Sequence, residues 1–156
     1  MIDLLDVLKV FGMSMLPVFE LRGSIVVGAA MDLPWWLNYI VSVCGNLLPV
    51  PFILLFIRGI LHWMKGVKGL CKIALWLEKK AQKHSVKVMK YATFGLFLFV
   101  AIPIPGTGAW TGALVASLFD MRMKYSLVSI ACGVLCAGVI MVCASYGFIS
   151  FLSIFA

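Results

Sequence analysis

Pro17-Val18-Phe19-Glu20-Leu21-Arg22-Gly23 is the stretch on which the fold turns. It places a carboxylate and a guanidinium two residues apart in a run otherwise uncharged from Val10 to Met31. Ionisable side chains in the middle of an apolar segment are costly in a bilayer, and by default they mark a substrate or ion path. Pro17 and Gly23 flank the pair, so a break in the helix is expected there. The arms on either side are about ten residues each, roughly 15 Å of helix against a hydrocarbon thickness of roughly 30 Å. Neither arm spans alone. The stretch either crosses with a charged middle or enters and returns as a re-entrant hairpin with Pro17 and Gly23 at its tip.

The surrounding composition places that stretch in a membrane. The 156 residues are 63% apolar and 12% charged, with a mean hydropathy of +1.10. Soluble domains hold about 45–50% apolar and about 25% charged residues. One all-α integral membrane domain is expected. The net charge is +7, and nine of the thirteen Lys and Arg lie between Arg58 and Lys90. Between apolar segments such a cluster marks a cytoplasmic face on anionic lipid headgroups rather than a nucleic-acid site. Five cysteines without CxxC spacing read as small hydrophobes, not as a metal site. No cofactor motif and no enzyme constellation is visible. The acidic start, with Asp3 and Asp6, has the wrong sign for a cleavable signal peptide.

Along the chain, residues 1–10 are expected to form a short interfacial helix with Leu4, Leu5 and Leu8 on one side. Trp35 to Ile57 is 23 residues without a charge and long enough to span. Trp35, Trp36 and Tyr39 fit an aromatic belt, Pro49 and Pro51 should kink the helix, and Asn46 sits near its middle. In residues 62–90 the lysines at 65, 68, 72, 79, 83, 87 and 90 form one stripe of a basic amphipathic helix. Tyr91 to Phe119 is uncharged but interrupted by Pro103-Ile104-Pro105-Gly106-Thr107-Gly108, which cannot continue a helix. Unpaired backbone at membrane depth is tolerated only inside protein or against a wet cavity. After the polar break 120–124, Tyr125 to Ala156 is again uncharged. Gly133, Ala137, Ala144 and Gly147 give it a small-residue face, the expected contact of a homodimer.

A shift of 88 aligns the halves without gaps: Pro17 meets Pro105, Asp32 meets Asp120, Cys44 meets Cys132 and Gly45 meets Gly133. These matches fall at corresponding landmarks of hairpin, break and span. The expected architecture is an inverted repeat of two units, each a re-entrant helical hairpin followed by a transmembrane helix. Repeat 1 covers about 8–61, the amphipathic linker 62–90 and repeat 2 about 91–150. With hairpins returning to their own side, residues 58–90 and 120–124 share one face and collect eleven Lys and Arg. The positive-inside rule makes that face cytoplasmic and puts both termini outside.

At the tips, Glu20 is a carboxylate that burial and Arg22 pull in opposite directions, suited to exchanging a proton as solvent access alternates. The planar fork of Arg22 suits a phosphate or carboxylate. Gly106, Thr107 and Gly108, ahead of a helix start near Ala109, could present backbone amides to an anion. Asn46, Ser14, Trp110 and Thr111 are candidate liners. A purely structural role is open for the same residues: Glu20 and Arg22 pinning the hairpin, the Pro-Gly stretch a packing kink, Asn46 an interhelical bond.

The stretches Ser14 to Ile25 and Pro103-Ile-Pro-Gly-Thr-Gly-Ala-Trp-Thr-Gly-Ala113 resemble the small multidrug export protein family, itself similar to the DedA/VTT membrane proteins. The resemblance covers nearly the whole chain. It implies residence in a prokaryotic inner membrane, two opposed re-entrant hairpins, and transport of polyprenyl phosphate or phospholipid driven by the proton motive force. Glu20 and Arg22 match the acidic and basic positions of the first hairpin motif. The arginine that DedA proteins carry in the second motif has no counterpart here.

Three functions follow as expectations. The first is a proton-coupled flippase or transporter for an anionic lipid such as undecaprenyl phosphate, with Arg22 and the 106–108 amides on the headgroup and Glu20 carrying the proton. The second is a proton-coupled exporter of small cationic or amphipathic compounds, with Glu20 on the cation and Trp110 or Trp35 stacked against it. The third is a non-transporting membrane adaptor.

Overall fold

The computed structural model describes residues 3–66, 86–104 and 106–155, and among them every regular element is a helix. Helix α1 (Leu4–Met15) starts where the Asp3 carboxylate accepts from the Leu5 amide at 3.2 Å. The Asp6–Lys9 ion pair at 2.8 Å braces its first turns. It stops at Leu16, whose ψ of 138° is the extended conformation favoured before a proline. The interfacial helix expected over 1–10 and the first hairpin arm are therefore one helix. After the turn at 16–19 comes α2 (Glu20–Ala30). Gly23, expected at the tip, lies inside α2 one turn beyond it, with the Phe19 ring packed over it.

Helix α3 (Trp35–Leu47) returns along both. Gly28 of α2 backs onto the Asn38 side chain, and Gly45 lies against Ser14 and Phe11 of α1. So α1 runs toward the 16–19 turn, α2 runs away from it, and α3 runs toward it again. A turn at Leu48-Pro49 then leads into α4 (Val50–Gly66), where the proline kink was expected.

The second half repeats this order with α5 (Val86–Ala101), a non-helical stretch around 102–108, α6 (Ala109–Leu118) and α7 (Met123–Phe155). Asp32 and Asp120, 88 apart, sit in the left-handed region at φ 55° and 48° and turn the chain after α2 and α6 in the same way. Gly112 and Gly133 let α6 and α7 close on Val100 of α5. The linker helix expected over 62–90 falls outside the described residues from 67 to 85. Its two ends belong to α4 and α5.

Among the described residues two stretches are long and apolar enough to cross a bilayer: Trp35–Ile60, mean hydropathy 2.3, and Met123–Phe148, mean hydropathy 2.6, each 26 residues. At 1.5 Å per residue a straight helix of 26 residues reaches about 39 Å, beyond the roughly 30 Å of hydrocarbon, and the turn at Leu48-Pro49 shortens the first stretch somewhat. This is a membrane protein. The two long stretches run antiparallel. Near one end Tyr146 donates to the Leu33 carbonyl at 2.6 Å. Near the other Arg58 donates to the Met121 carbonyl. The buried core between them joins Leu21 and Ile25, Leu54, Val100, Ala113, Ile130 and Val134. Gly133 and Ala137 are used up in packing inside the chain, and on the small-residue face Ala144 and Gly147 remain open.

Candidate functional site

The 16–19 turn of the first half meets the 102–108 stretch of the second. Glu20 heads α2 at φ 48°, a strained value for a residue with a side chain, and is 8% exposed. Its Oε1 accepts from the Trp110 amide at 3.3 Å. Gly108, the N-cap residue of α6, has no side chain with which to cap that helix. Glu20 does so from 88 residues away in sequence, placing a carboxylate where the helix dipole favours one. A Cβ on Gly108 would lie 1.4 Å from Glu20 Oε2, so the carboxylate fits only because residue 108 is glycine.

Arg22 makes the second link. Its Nη2 donates to the Ile102 carbonyl at 3.0 Å, to the Thr107 carbonyl at 3.2 Å and to Thr107 Oγ1 at 2.9 Å. These bonds tie Arg22 to the residue just past α5 and to the one just before Gly108. In return Trp110 Nε1 donates to the Met15 carbonyl at 3.2 Å, in the last turn of α1. Residues 22 and 110 are 88 apart, so each half reaches across to the end of the other half's first helix. Glu20 and Arg22 do not pair with each other. Among the described residues the direct ion pair is Asp6–Lys9, and positions two apart on a helix point to different sides.

Between the turns lies a cavity of about 10 Å³, walled by Glu20, Arg22, Asn46, Gly108 and Val134 among others. Of the sequence-derived candidates, Glu20, Arg22, Asn46 and Gly108 meet at this cavity, with Thr107 and Trp110 bonded to them. Thr111 is one turn on, its hydroxyl donating to the Gly108 carbonyl at 3.1 Å. Gly106 takes φ 85° in the exposed part of the turn. Pro17 shapes the first turn and Pro103 the second, while Pro105 lies outside the described residues. Ser14 is not at the site: it is buried against Gly45, donating to the Phe11 carbonyl at 2.7 Å.

Sequence reasoning missed a polar row. Asn38, Ser42 and Asn46 recur at steps of four on α3, and all three are buried. Asn38 Nδ2 donates to the Ile25 carbonyl at 2.8 Å and to the Tyr146 hydroxyl at 3.0 Å. The step of four in an apolar helix was the available signal. A second, larger cavity of about 380 Å³ opens between α3 and α7, lined by Trp35, Tyr39, Tyr146, Val142 and Cys143. Its walls are apolar and aromatic. Among the described residues no three His, Cys, Asp or Glu gather as metal ligands.

Residues 20–140 match the family described as "Putative small multi-drug export protein". The chain belongs to this family. The matched stretch opens at Glu20 and contains every hydrogen-bonding side chain of the small cavity. Neither a curated protein nor a solved structure matches the chain.

Proposed function

We propose that this family member is a secondary transporter of the inner membrane that exports small cationic or amphipathic compounds in exchange for protons, with Glu20 taking proton and cargo in turn. The carrying observation is the Glu20 carboxylate bonded to the Trp110 amide where the two halves meet. An ionised Glu20 holds the second turn through the N-terminus of α6, and a protonated one holds it less firmly. Proton uptake would then loosen the contact that keeps the two turns together. The multi-drug description of the family supports an export reading. The aromatic cavity beside Trp35 and Tyr39 offers faces on which a flat cation could rest.

The anionic-lipid reading has less support. It needs Arg22 and the amides at 106–108 free for a headgroup. Arg22 Nη2 is engaged by Ile102 and Thr107, and the start of α6 is covered by Glu20. The proposed membrane arrangement is an inverted repeat with two re-entrant hairpins, cytoplasmic at 58–90 and 120–124 and with both termini outside. Its support is the antiparallel course of the two long stretches and the meeting of the turns midway along them.

The test is transport in reconstituted vesicles carrying a pH gradient, with a cationic dye and with polyprenyl phosphate. Wild type should move the dye and respond to the gradient, and Glu20→Gln should lose that response. Lipid movement abolished by Arg22→Ala, with no dye movement, would replace this reading with the flippase.

A further inference from the structure

The polar row on α3 is self-satisfied except at its end. Ser42 Oγ donates to Asn38 Oδ1 at 3.3 Å, and Asn38 spends its amide hydrogens on Ile25 and Tyr146. Asn46 differs. It is 2% exposed, it lines the small cavity, and its Oδ1 is buried without a hydrogen-bond partner among the described residues. A buried amide oxygen is rarely left without a donor. On the same cavity wall, the Glu20 carboxylate accepts from the Trp110 amide and has capacity for more. Two residues that line one space and each have acceptor capacity to spare call for a group with two hydrogens to give.

The space and its charge decide which group. About 10 Å³ accommodates one water and nothing larger. A bare monovalent cation needs more oxygens than these two side chains supply, and the Arg22 guanidinium on the same wall repels it. Arg22 is also the one other charged group there: α5 contributes Val100, α6 Ala109, and α7 Val134 and Ala137.

We propose that the cavity is a binding site for one water molecule, which donates one hydrogen to Asn46 Oδ1 and the other to the Glu20 carboxylate. Asn46 is thereby a positioning residue: it holds the water that hydrates the ionised form of Glu20. Without that anchor the ionised form loses one charge-assisted hydrogen bond, and Glu20 keeps its proton more tightly. The water site stands on geometry alone. Its influence on proton exchange rests on the reading of Glu20 given above.

Two measurements on the full chain test this, and neither requires transport. Crystals in a lipid phase, grown once in sodium and once in rubidium salt, should show one solvent peak about 2.8 Å from both oxygens with no anomalous signal in rubidium. An anomalous peak at that position, or no density between the two oxygens, overturns the water site. Infrared titration of the carboxyl band that Glu20→Gln removes should move in Asn46→Leu to proton binding at least about tenfold tighter. A band that titrates as in wild type overturns the positioning role, while the dye assay judges export separately. The wild-type density tests the site even if the leucine variant does not fold.

Discussion

Replacing Gly108 by alanine tests the contact on which the site depends. The backbone there, φ −89° and ψ −164°, suits alanine, so no conformational strain confuses the result. The added Cβ would fall 1.4 Å from Glu20 Oε2, 2.1 Å from its Cδ and 2.4 Å from Oε1. No adjustment of a methyl group relieves that overlap, so the carboxylate must leave. It loses its bond to the Trp110 amide, worth about 1.5–3 kcal/mol for a charged acceptor. The start of α6 loses its cap, and overpacking adds about 1–3 kcal/mol. A total of about 2.5–6 kcal/mol corresponds to roughly 5–24 °C in a chain of this length. Thermal unfolding in detergent, followed by circular dichroism, measures it. The decisive comparison repeats the substitution in Glu20→Ala, where the overlap is gone. There Gly108→Ala should cost less than about 0.5 kcal/mol, the level expected of uncoupled sites. An equal cost in both backgrounds, or a wild-type melting temperature for Gly108→Ala alone, would refute the claim that Glu20 occupies the space over residue 108.

The other side of the contact is open to the same measurement. Arg22→Ala removes the Nη2 donor shared by Ile102 and Thr107 and should cost about 2–4 kcal/mol, with Arg22→Lys recovering less than half because the shorter side chain does not place its ammonium where Nη2 lies. A lysine variant as stable as wild type would mean that the charge alone holds the turn. Trp110→Phe keeps an aromatic side chain but drops the indole N–H that bonds the Met15 carbonyl, with part of the ring's packing, so a loss of at least about 1 kcal/mol is expected with dye export retained. An unchanged melting temperature would show that this bond contributes nothing.

Much of this was legible because charge is rare in the chain. Glu20 and Arg22 stand out in an apolar run, and a Pro-Gly stretch such as 103–108 permits little but a turn. The two long stretches could be read from length and hydropathy alone. What pattern could not supply was the partner of each charge. Adjacency in sequence suggested that Glu20 and Arg22 serve each other, whereas both reach across some 80–90 residues to the second turn. Gly23 misled in a related way. A glycine after a proline reads as a second break, but here it makes room for Phe19 within a continuous helix. The row Asn38-Ser42-Asn46 carries no charge, so only its spacing of four sets it apart from the apolar helix around it.

The match between the two halves at a spacing of 88 weakens at the cavity for a physical reason. Its wall contains three pairs of positions 88 apart: Glu20 with Gly108, Leu21 with Ala109, and Asn46 with Val134. Where the halves merely need the same turn or the same close approach, they keep the same residue, as at Asp32 and Asp120 or Gly45 and Gly133. Where they meet, they cannot. A glutamate at both 20 and 108 would put two carboxylates into a space that takes one, and like charges at that range in a poorly solvated setting repel strongly. One half therefore carries the polar group and the other gives up its side chain to make room. The asymmetry leaves the contact with a single carboxylate, on the first half, rather than a matched pair, beside the Arg22 and Trp110 bonds that also tie the two turns together.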